Sequence, residues 1–259
     1  MTNNATLMPD GSLYTMHTGE RILGDGQYVQ YPYFLSDDDT FEHDGYKYIY
    51  HKSIDGWQAE LVDKEAEICG VLLGEIANKP LLSLCSTFAD CKNLKEGPEI
   101  PDSVVDMKET FKGCTSLLTA KIGINVIDTE SCFENCCSLN TRIIMPQKVR
   151  SAIRTFANCV SMTEPPAFDG QIDLIFADEM FENCENLIVS PDFSLSPHIR
   201  SINRTFSGCC NLKIVIPAPV STQSAVGTFN GCRSLKSKPT LPPYAETDNT
   251  TFANTPFSK

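Results

Sequence analysis

Phe88-Ala89-Asp90-Cys91-Lys92-Asn93-Leu94 decides the fold, because its pattern of Phe, then Cys three residues on, then Leu three more returns along the rest of the chain. Further full copies stand at Phe111/Cys114/Leu117, Phe133/Cys136/Leu139, Phe156/Cys159/Met162, Phe181/Cys184/Leu187, Phe206/Cys209/Leu212 and Phe229/Cys232/Leu235. A weakened copy begins at Phe252, where Thr255 takes the Cys place. Successive Phe residues lie 23, 22, 23, 25, 25, 23 and 23 positions apart. Self-similarity at such a period predicts a solenoid of stacked coils.

The spacing of the three apolar residues predicts the shape of one coil. Phe, Cys and Leu at i, i+3 and i+6 all face inward from a short helical turn that leads into one short extended strand. A single coil cannot bury that face, so coils stack and bury it against their neighbours. The solenoid is predicted over residues 81–259, with seven full coils and a degenerate C-terminal one.

The repeated Thr-Phe-x-x-Cys-x-x-Leu motif, followed by a Pro-containing stretch such as Pro98-Glu99-Ile100-Pro101, resembles the BspA-type leucine-rich repeat. The resemblance covers roughly residues 81–257 and implies a curved solenoid with mainly non-catalytic roles in binding other macromolecules. Members occur on bacterial surfaces, in protozoa and in phage-derived genes of gut bacteria. Four strand positions that usually hold Ile or Leu depart from the pattern: Gly97, Ala120, Arg142 and Ser190. These departures predict an irregular sheet.

The resemblance also implies a row of outward-facing residues, one per coil, as a candidate protein-binding surface. The row comprises Glu96, Thr119, Thr141, Glu164, Val189, Ile214 and Ser237. It changes from polar to apolar along the stack, and Val189 with Ile214 brings two aliphatic residues together. An exposed apolar patch rimmed by polar groups marks a protein contact. The equal alternative is that these two residues pack under a neighbouring loop.

The first 80 residues have a different composition, with seven of the eight Tyr and the only Trp. Residues 1–40 form a Tyr-rich segment without firm periodicity. Tyr is enriched at protein interfaces. Tyr28, Tyr31 and Tyr33 are therefore further candidate protein-binding residues.

Residues 41–80 are predicted to form an N-terminal cap made of a β-hairpin and a helix. Tyr residues alternate over 46–50, Ser53-Ile54-Asp55-Gly56 supplies a turn, and residues 57–62 extend again. A helix is predicted from Asp63, its N-cap, to about residue 78. Its apolar face holds Ile68, Val71, Leu72 and Ile76. Capping units keep such stacks soluble, because they cover an otherwise open core.

The cysteines indicate packing and not disulfides or metal binding. Seven of the twelve occupy the same repeat position, one per coil, whereas a disulfide framework pairs its residues. Cys is among the residue types most often buried. No His accompanies the adjacent pairs Cys136-Cys137 and Cys209-Cys210, so a zinc site is not expected. Free Cys in this number is typical of a reducing compartment.

Composition and motifs exclude several classes of function. The chain carries 33 acidic against 21 basic residues, and this net charge of −12 argues against nucleic acid and anionic membranes as direct partners. The N-terminus lacks the basic and apolar regions of a signal peptide, which predicts a cytoplasmic location, with a virion or cell surface as the alternative. No catalytic, cofactor-binding or metal-ligating constellation is present, so we expect neither enzyme activity nor a cofactor.

These observations favour a non-enzymatic protein that recognises another protein or protein complex. One version is an intracellular binder, such as a phage-encoded inhibitor of a host protein complex. The alternative version is a bacterial surface adhesin or a virion-associated receptor-binding protein.

Overall fold

The structure is a computed structural model and describes residues 35–168 and 170–258, together with three two-residue strands before them. These three strands are β1 (Thr6–Leu7), β2 (Leu13–Tyr14) and β3 (Arg21–Ile22). They pair antiparallel in the order β1-β2-β3. Most of the Tyr-rich segment predicted over residues 1–40 lies outside the described residues.

A five-stranded sheet precedes the coils, and we call it the cap sheet. It contains β4 (Thr40–His43), β5 (Tyr46–His51), β6 (Gly56–Leu61), β7 (Glu75–Ile76) and β8 (Lys79–Ser83). The strand order is β4-β5-β6-β8-β7, with β6 and β8 parallel and all other neighbours antiparallel. β5 and β6 form an antiparallel hairpin at the residues where the sequence places one. β8 crosses position 80, so the cap sheet and the first coil share a strand.

Aromatic residues of the cap sheet cover the first coil. The ring of Tyr46 meets the ring of Phe88 edge-on, with centroids 6.0 Å apart and an interplanar angle of 89°. The hydroxyl of Thr87 donates a hydrogen bond to the carbonyl of Ala59 in β6 at 2.6 Å. Trp57 of the same sheet is fully buried, and its indole N–H donates to the Ile76 carbonyl at 2.9 Å. The end of the core is therefore closed by a sheet face.

The helix predicted from Asp63 is wrong. The segment before β7 has no regular structure, and β7 and β8 form a tight hairpin whose turn residues Ala77 (φ 50°) and Asn78 (φ 58°) are both left-handed, as a type I′ turn requires. Gly70 lies so close to the backbone of Asp44 that a Cβ on it would stand 2.1 Å from the Asp44 carbonyl oxygen. Of the four residues on the predicted apolar face, Leu72 and Ile76 are buried, whereas Ile68 and Val71 are 84% and 70% exposed. Tertiary contacts with the β4–β5 turn override the helical periodicity.

The short helical turn predicted in each coil is also wrong, because in seven of the eight coils a left-handed residue stands on each side of the repeated Phe. In the coil of Phe156, Arg154 has φ 55° and Asn158 has φ 62°. Left-handed residues interrupt an α-helix of L-amino acids. The backbone N–H of Phe156 donates instead to the carbonyl of Met180 in the next coil at 2.9 Å. Backbone hydrogen bonds therefore join the coils where a helix would keep them within one coil.

The second left-handed position has a clear sequence signal. Two residues after each Phe stands an Asn, Asp or Gly: Asp90, Gly113, Asn135, Asn158, Asn183, Gly208, Gly231 and Asn254. These are the residue types that adopt the left-handed region most readily. Within the described residues, the one helix is a 3₁₀ turn at Phe193–Leu195.

The repeated Phe residues form one continuous stack. We number the coils 1 to 8 by their Phe, from Phe88 to Phe252. Neighbouring rings have centroids 5.1 to 5.8 Å apart and interplanar angles of 2° to 19°. The first seven rings are buried and Phe252 is half-buried, because no further coil covers it.

Side-chain donors tie each coil to the one before it. The thiol of the repeat Cys donates to the Phe carbonyl of the preceding coil at 3.0 to 3.1 Å in six coils: Cys114, Cys136, Cys159, Cys184, Cys209 and Cys232. The hydroxyl of the Thr before each Phe makes a similar bond to a backbone carbonyl of the preceding coil at Thr110, Thr155, Thr205, Thr228 and Thr251. All twelve cysteines lie among the described residues, and each is free.

A parallel ladder of single bridges runs unbroken along all eight coils. It joins Ser83, Asp106, Asp128, Ser151, Phe176, Ser201, Ser224 and Glu246. The residues immediately before them are Leu82, Val105, Ile127, Arg150, Ile175, Arg200, Gln223 and Ala245. We call these two rows the ladder face. The continuous sheet of the solenoid therefore precedes each Phe, whereas the sequence pattern placed the strand after the Leu.

Candidate functional site

The predicted binding row lies on a second, interrupted ladder that follows the Leu of each coil. Along it, Glu96 pairs with Thr119 and Val189 pairs with Ile214, both in parallel. Between them, β9 (Ile144–Met145) pairs in parallel with β10 (Ala167–Phe168). Glu96, Thr141, Glu164, Ile214 and Ser237 are exposed, and Thr119 and Val189 are half-buried.

The interruption between coils 2 and 3 opens a groove. No backbone hydrogen bond within the described residues joins residues 118–124 to residues 140–148, and only the Thr141 hydroxyl crosses, donating to the Leu118 carbonyl at 2.9 Å. Coil 2 is the shortest, with 22 residues from Phe111 to Phe133. Coil 1, with 23 residues, nevertheless bridges coil 2 on both ladders, so coil length alone does not break the second ladder.

The groove between coils 2 and 3 has a volume of about 560 Å³ and a largely apolar lining. Ile124 and Ile144 are 62% and 61% exposed on its two sides. The complete lining is Thr119, Ala120, Lys121, Ile122, Ile124, Thr141, Arg142, Ile144, Pro146, Gln147 and Lys148. It therefore includes Thr119 and Thr141 of the predicted row.

The charged residues of the groove are all basic. Lys121, Arg142 and Lys148 contribute to its lining, which holds no carboxylate, although the chain as a whole carries a net charge of −12. Lys121 pairs with Glu99 outside the groove, and Lys148 donates to the Asn125 side chain at 2.7 Å. Arg142 makes no ion pair with any described residue. The groove thus combines apolar contact area with positive charge.

A second exposed apolar area lies farther along the same side. Val189 and Ile214 are neighbours in adjacent coils, and Ile214 is 56% exposed. Ile188 beside them is 39% exposed. Packing under a neighbouring loop, the alternative considered for this pair, does not fit the exposure of Ile214.

The structure separates the remaining candidates from this surface or leaves them undescribed. Tyr28, Tyr31 and Tyr33 lie outside the described residues. Across residues 35–168 and 170–258, no three His, Cys, Asp or Glu side chains are grouped to hold a metal ion. In that same part of the chain, no helix is long and apolar enough to cross a bilayer.

The predicted binding row does not include the groove residues Ile124, Ile144, Lys121 and Lys148. One sequence signal points to this part of the stack, namely Arg142 at a position where the repeat usually has Ile or Leu. A charged side chain at such a position stays exposed, as Arg142 does.

Comparisons with known proteins agree with this architecture. The model of the BspA type leucine-rich repeat region matches six copies, over residues 85–188 and 154–259. The T. pallidum leucine-rich repeat protein is 22% identical, with a TM-score of 0.61 over 76% of this chain and 91% of that chain. A leucine-rich repeat protein from Eubacterium ventriosum is 17% identical, with a TM-score of 0.51 over 82% of this chain and 50% of that chain. No curated protein matches the sequence.

The two solved structures share the fold, while the repeat motif carries the family assignment. The matched copies span 85–259, the residues that hold the Phe stack and the groove. This chain belongs to the BspA-type leucine-rich repeat family.

Proposed function

We propose that the chain is a non-enzymatic recognition protein that binds another protein through the groove between coils 2 and 3. The observation that carries this proposal is the groove itself, which combines a largely apolar lining with three basic side chains on an acidic protein. The family supports a recognition role, because leucine-rich repeats mediate contacts between proteins.

The physical argument rests on what the groove can offer a partner. Ile124 and Ile144 supply apolar area whose removal from water stabilises a complex by about 25 cal/mol per Å². Arg142 has no intramolecular carboxylate to lose, so pairing it with a partner's carboxylate breaks no existing ion pair. Interfaces are enriched in such Arg residues and depleted in Lys and Glu at their centres. The contact is therefore centred on Arg142 and Ile144.

The free cysteines support a reducing compartment as the place of action. Each of the twelve is free, and an oxidising environment converts exposed thiols to disulfides or higher oxidation states. Our proposal for the partner is accordingly a protein complex inside a cell, such as the host target of a phage-encoded inhibitor. Finding the native protein on a virion or at the cell surface would favour the adhesin or receptor-binding version.

Capture from lysate with matched variants tests the groove. The tagged wild-type protein is compared with Arg142→Glu and Ile144→Ser, and with Ile54→Ser as a control, since Ile54 is 44% exposed in the β5–β6 turn. We expect a captured partner whose yield falls at least tenfold with both groove variants and is unchanged with the control. Thermal melting verifies that all variants are folded. Equal capture by all four proteins would assign recognition to another surface.

A further inference from the structure

One of the eight bridge residues of the ladder face does not fit the polar pattern of the other seven. Phe176 occupies a bridge position between Ser151 and Ser201, and its side chain is 42% exposed. The other bridge positions hold Ser, Asp or Glu. The buried residues of this strand are Leu174 and Ala177, so the exposed part of the Phe176 ring lies outside the core.

Two arginines flank this phenylalanine on the neighbouring coils. Arg150 and Arg200 are exposed. The backbone N–H of Arg150 donates to the Ile127 carbonyl at 2.8 Å and that of Arg200 to the Ile175 carbonyl at 2.9 Å, so the backbone at both arginines is held by the preceding coil. Neither guanidinium has an ion pair or hydrogen bond with any residue that the structure describes.

Two nearby arginines, Arg154 and Arg204, do form ion pairs within the solenoid. Arg154 pairs with Glu134 at 2.7 Å and with Glu182 at 3.0 Å, and Arg204 pairs with Glu182 as well. Glu134 and Glu182 are buried at the centre of this network. The chain thus pairs the arginines that stabilise the stack and leaves Arg150 and Arg200 without carboxylates.

A shallow pocket continues the surface beyond Arg200. It has a volume of about 400 Å³ and is lined by Ile175, Pro197, His198, Arg200, Ser221, Gln223 and Tyr244. Tyr244 is 63% exposed, and the lining contains no carboxylate. Exposed Arg and aromatic residues in one area are the composition of interface hot spots.

We propose that Arg150, Phe176 and Arg200 form a second binding surface, separate from the groove, for an extended acidic segment of a partner protein. Arg150 and Arg200 are two coils apart, and the coil spacings there are 5.6 and 5.7 Å between stacked rings. An extended chain rises about 3.3 Å per residue, and its side chains at i, i+2 and i+4 lie on one face. Two carboxylates four residues apart, about 13 Å, therefore face the two long arginine side chains, and the residue midway between them places an apolar side chain over Phe176.

Charge selects a polypeptide over a nucleic acid as the occupant. The ladder face also holds Asp106 and Asp128, and the chain carries a net charge of −12. A phosphate backbone with one charge per nucleotide is repelled by such a surface. A peptide with two carboxylates can place them at the two arginines alone.

A peptide of defined sequence tests the surface without knowledge of the partner. The probe is a fluorescein-labelled twelve-residue peptide of Glu-Ser-Leu-Ser repeats, and the control peptide has Lys in place of Glu. Binding to the full chain is measured by fluorescence anisotropy in 50 mM salt. We expect the Glu peptide to bind and the Lys peptide not to bind.

Variants of the protein then locate the binding. Arg150→Ala and Arg200→Ala should each weaken the Glu peptide at least fivefold. Phe176→Ser, which inserts the residue of the neighbouring coils, should weaken it as well without lowering the melting temperature. Arg233→Ala, at an exposed arginine outside the ladder face, should leave the affinity unchanged.

Several results would overturn the proposal. These are absence of binding by the Glu peptide, equal binding by the Lys peptide, and equal loss with Arg233→Ala. Tighter binding of a single-stranded RNA probe would show a nucleic-acid surface. Sedimentation that shows dimers lost in Arg200→Ala would show that the acidic segment belongs to a second copy of this chain.

Discussion

The thiol of Cys209 donates a hydrogen bond to the backbone carbonyl of Phe181 in the preceding coil, at an S···O distance of 3.0 Å. The same carbonyl accepts the backbone N–H of Cys184 at 3.0 Å. One carbonyl thus joins the turn of its own coil to the core side chain of the next. The repeat Cys therefore acts as a small buried hydrogen-bond donor between neighbouring coils.

This relationship predicts unequal effects at two adjacent cysteines. Cys209→Ala removes a buried thiol and its hydrogen bond and should lower the free energy of unfolding by about 1–3 kcal/mol. Cys210→Ala, at a half-buried position, should lower it by less than about 0.5 kcal/mol. Urea denaturation of both variants measures the difference. Equal losses would mean that the fixed position of the Cys has no structural role.

The oxidation state of the cysteines is a second prediction. Protein purified without reducing agent and then unfolded should react with a thiol reagent at close to twelve sites, because each cysteine is free. Before unfolding, the buried thiols should react slowly. A count of only a few thiols would place the protein in an oxidising compartment. Addition of a chelator should leave the melting temperature unchanged.

Stability should fall at alkaline pH because of the buried thiols. Burial raises the pKa of Cys184 and Cys232 to about 12, so the folded state keeps protons that the unfolded state loses above pH 9. The stabilising contribution is complete below pH 9 and is lost as pH rises towards 12. Between pH 9 and pH 12, each such thiol lowers the free energy of unfolding by about 1.4 kcal/mol for each unit by which the pH rises. Urea midpoints at pH 7.5, 9 and 10 measure the trend, and Cys184→Ala should show a shallower slope. A midpoint that rises with pH would contradict the assignment.

Truncation of the ring stack should depend on its place along the solenoid. Phe156→Ala removes a ring covered on both sides and should cost about 3–5 kcal/mol. Phe252→Ala removes a half-buried ring with one stacked neighbour and should cost less. Thermal and urea denaturation compare the two. Equal costs would argue against stabilisation by contacts between neighbouring coils.

The cap sheet should be necessary for a soluble solenoid. Removal of residues 1–34 leaves β4 to β8 whole, and the product should melt cooperatively. Removal of residues 1–80 takes Tyr46 from the ring of Phe88 and cuts β8, so the exposed first coil should aggregate. Light scattering and sedimentation distinguish the two products. A monomeric 81–259 fragment as stable as the full chain would show that the cap sheet is dispensable.

The sequence by itself determined the solenoid and its core. The recurring Phe, Cys and Leu fixed the number of coils and the inward side chains, because a repeat that recurs seven times can bury its apolar face only against its own copies. The pairing of Val189 with Ile214 on one surface followed from the same register. In the cap, the alternating Tyr46, Tyr48 and Tyr50 gave a buried strand face.

Tertiary structure decided what local periodicity could not. The residues from Asp63 onward have helical spacing, but Gly70 packs against Asp44 and the chain turns at Ala77 and Asn78. The turn beside Phe156 has left-handed residues at Arg154 and Asn158. The backbone N–H groups of Arg154, Phe156 and Asn158 donate to carbonyls of the next coil, and a single coil in isolation could not form these bonds. The groove, finally, lies where no bridge of the second ladder joins coils 2 and 3. Its lining comes from both coils, so the exposure of a side chain such as Arg142 in it is a property of the stack and of neither coil alone.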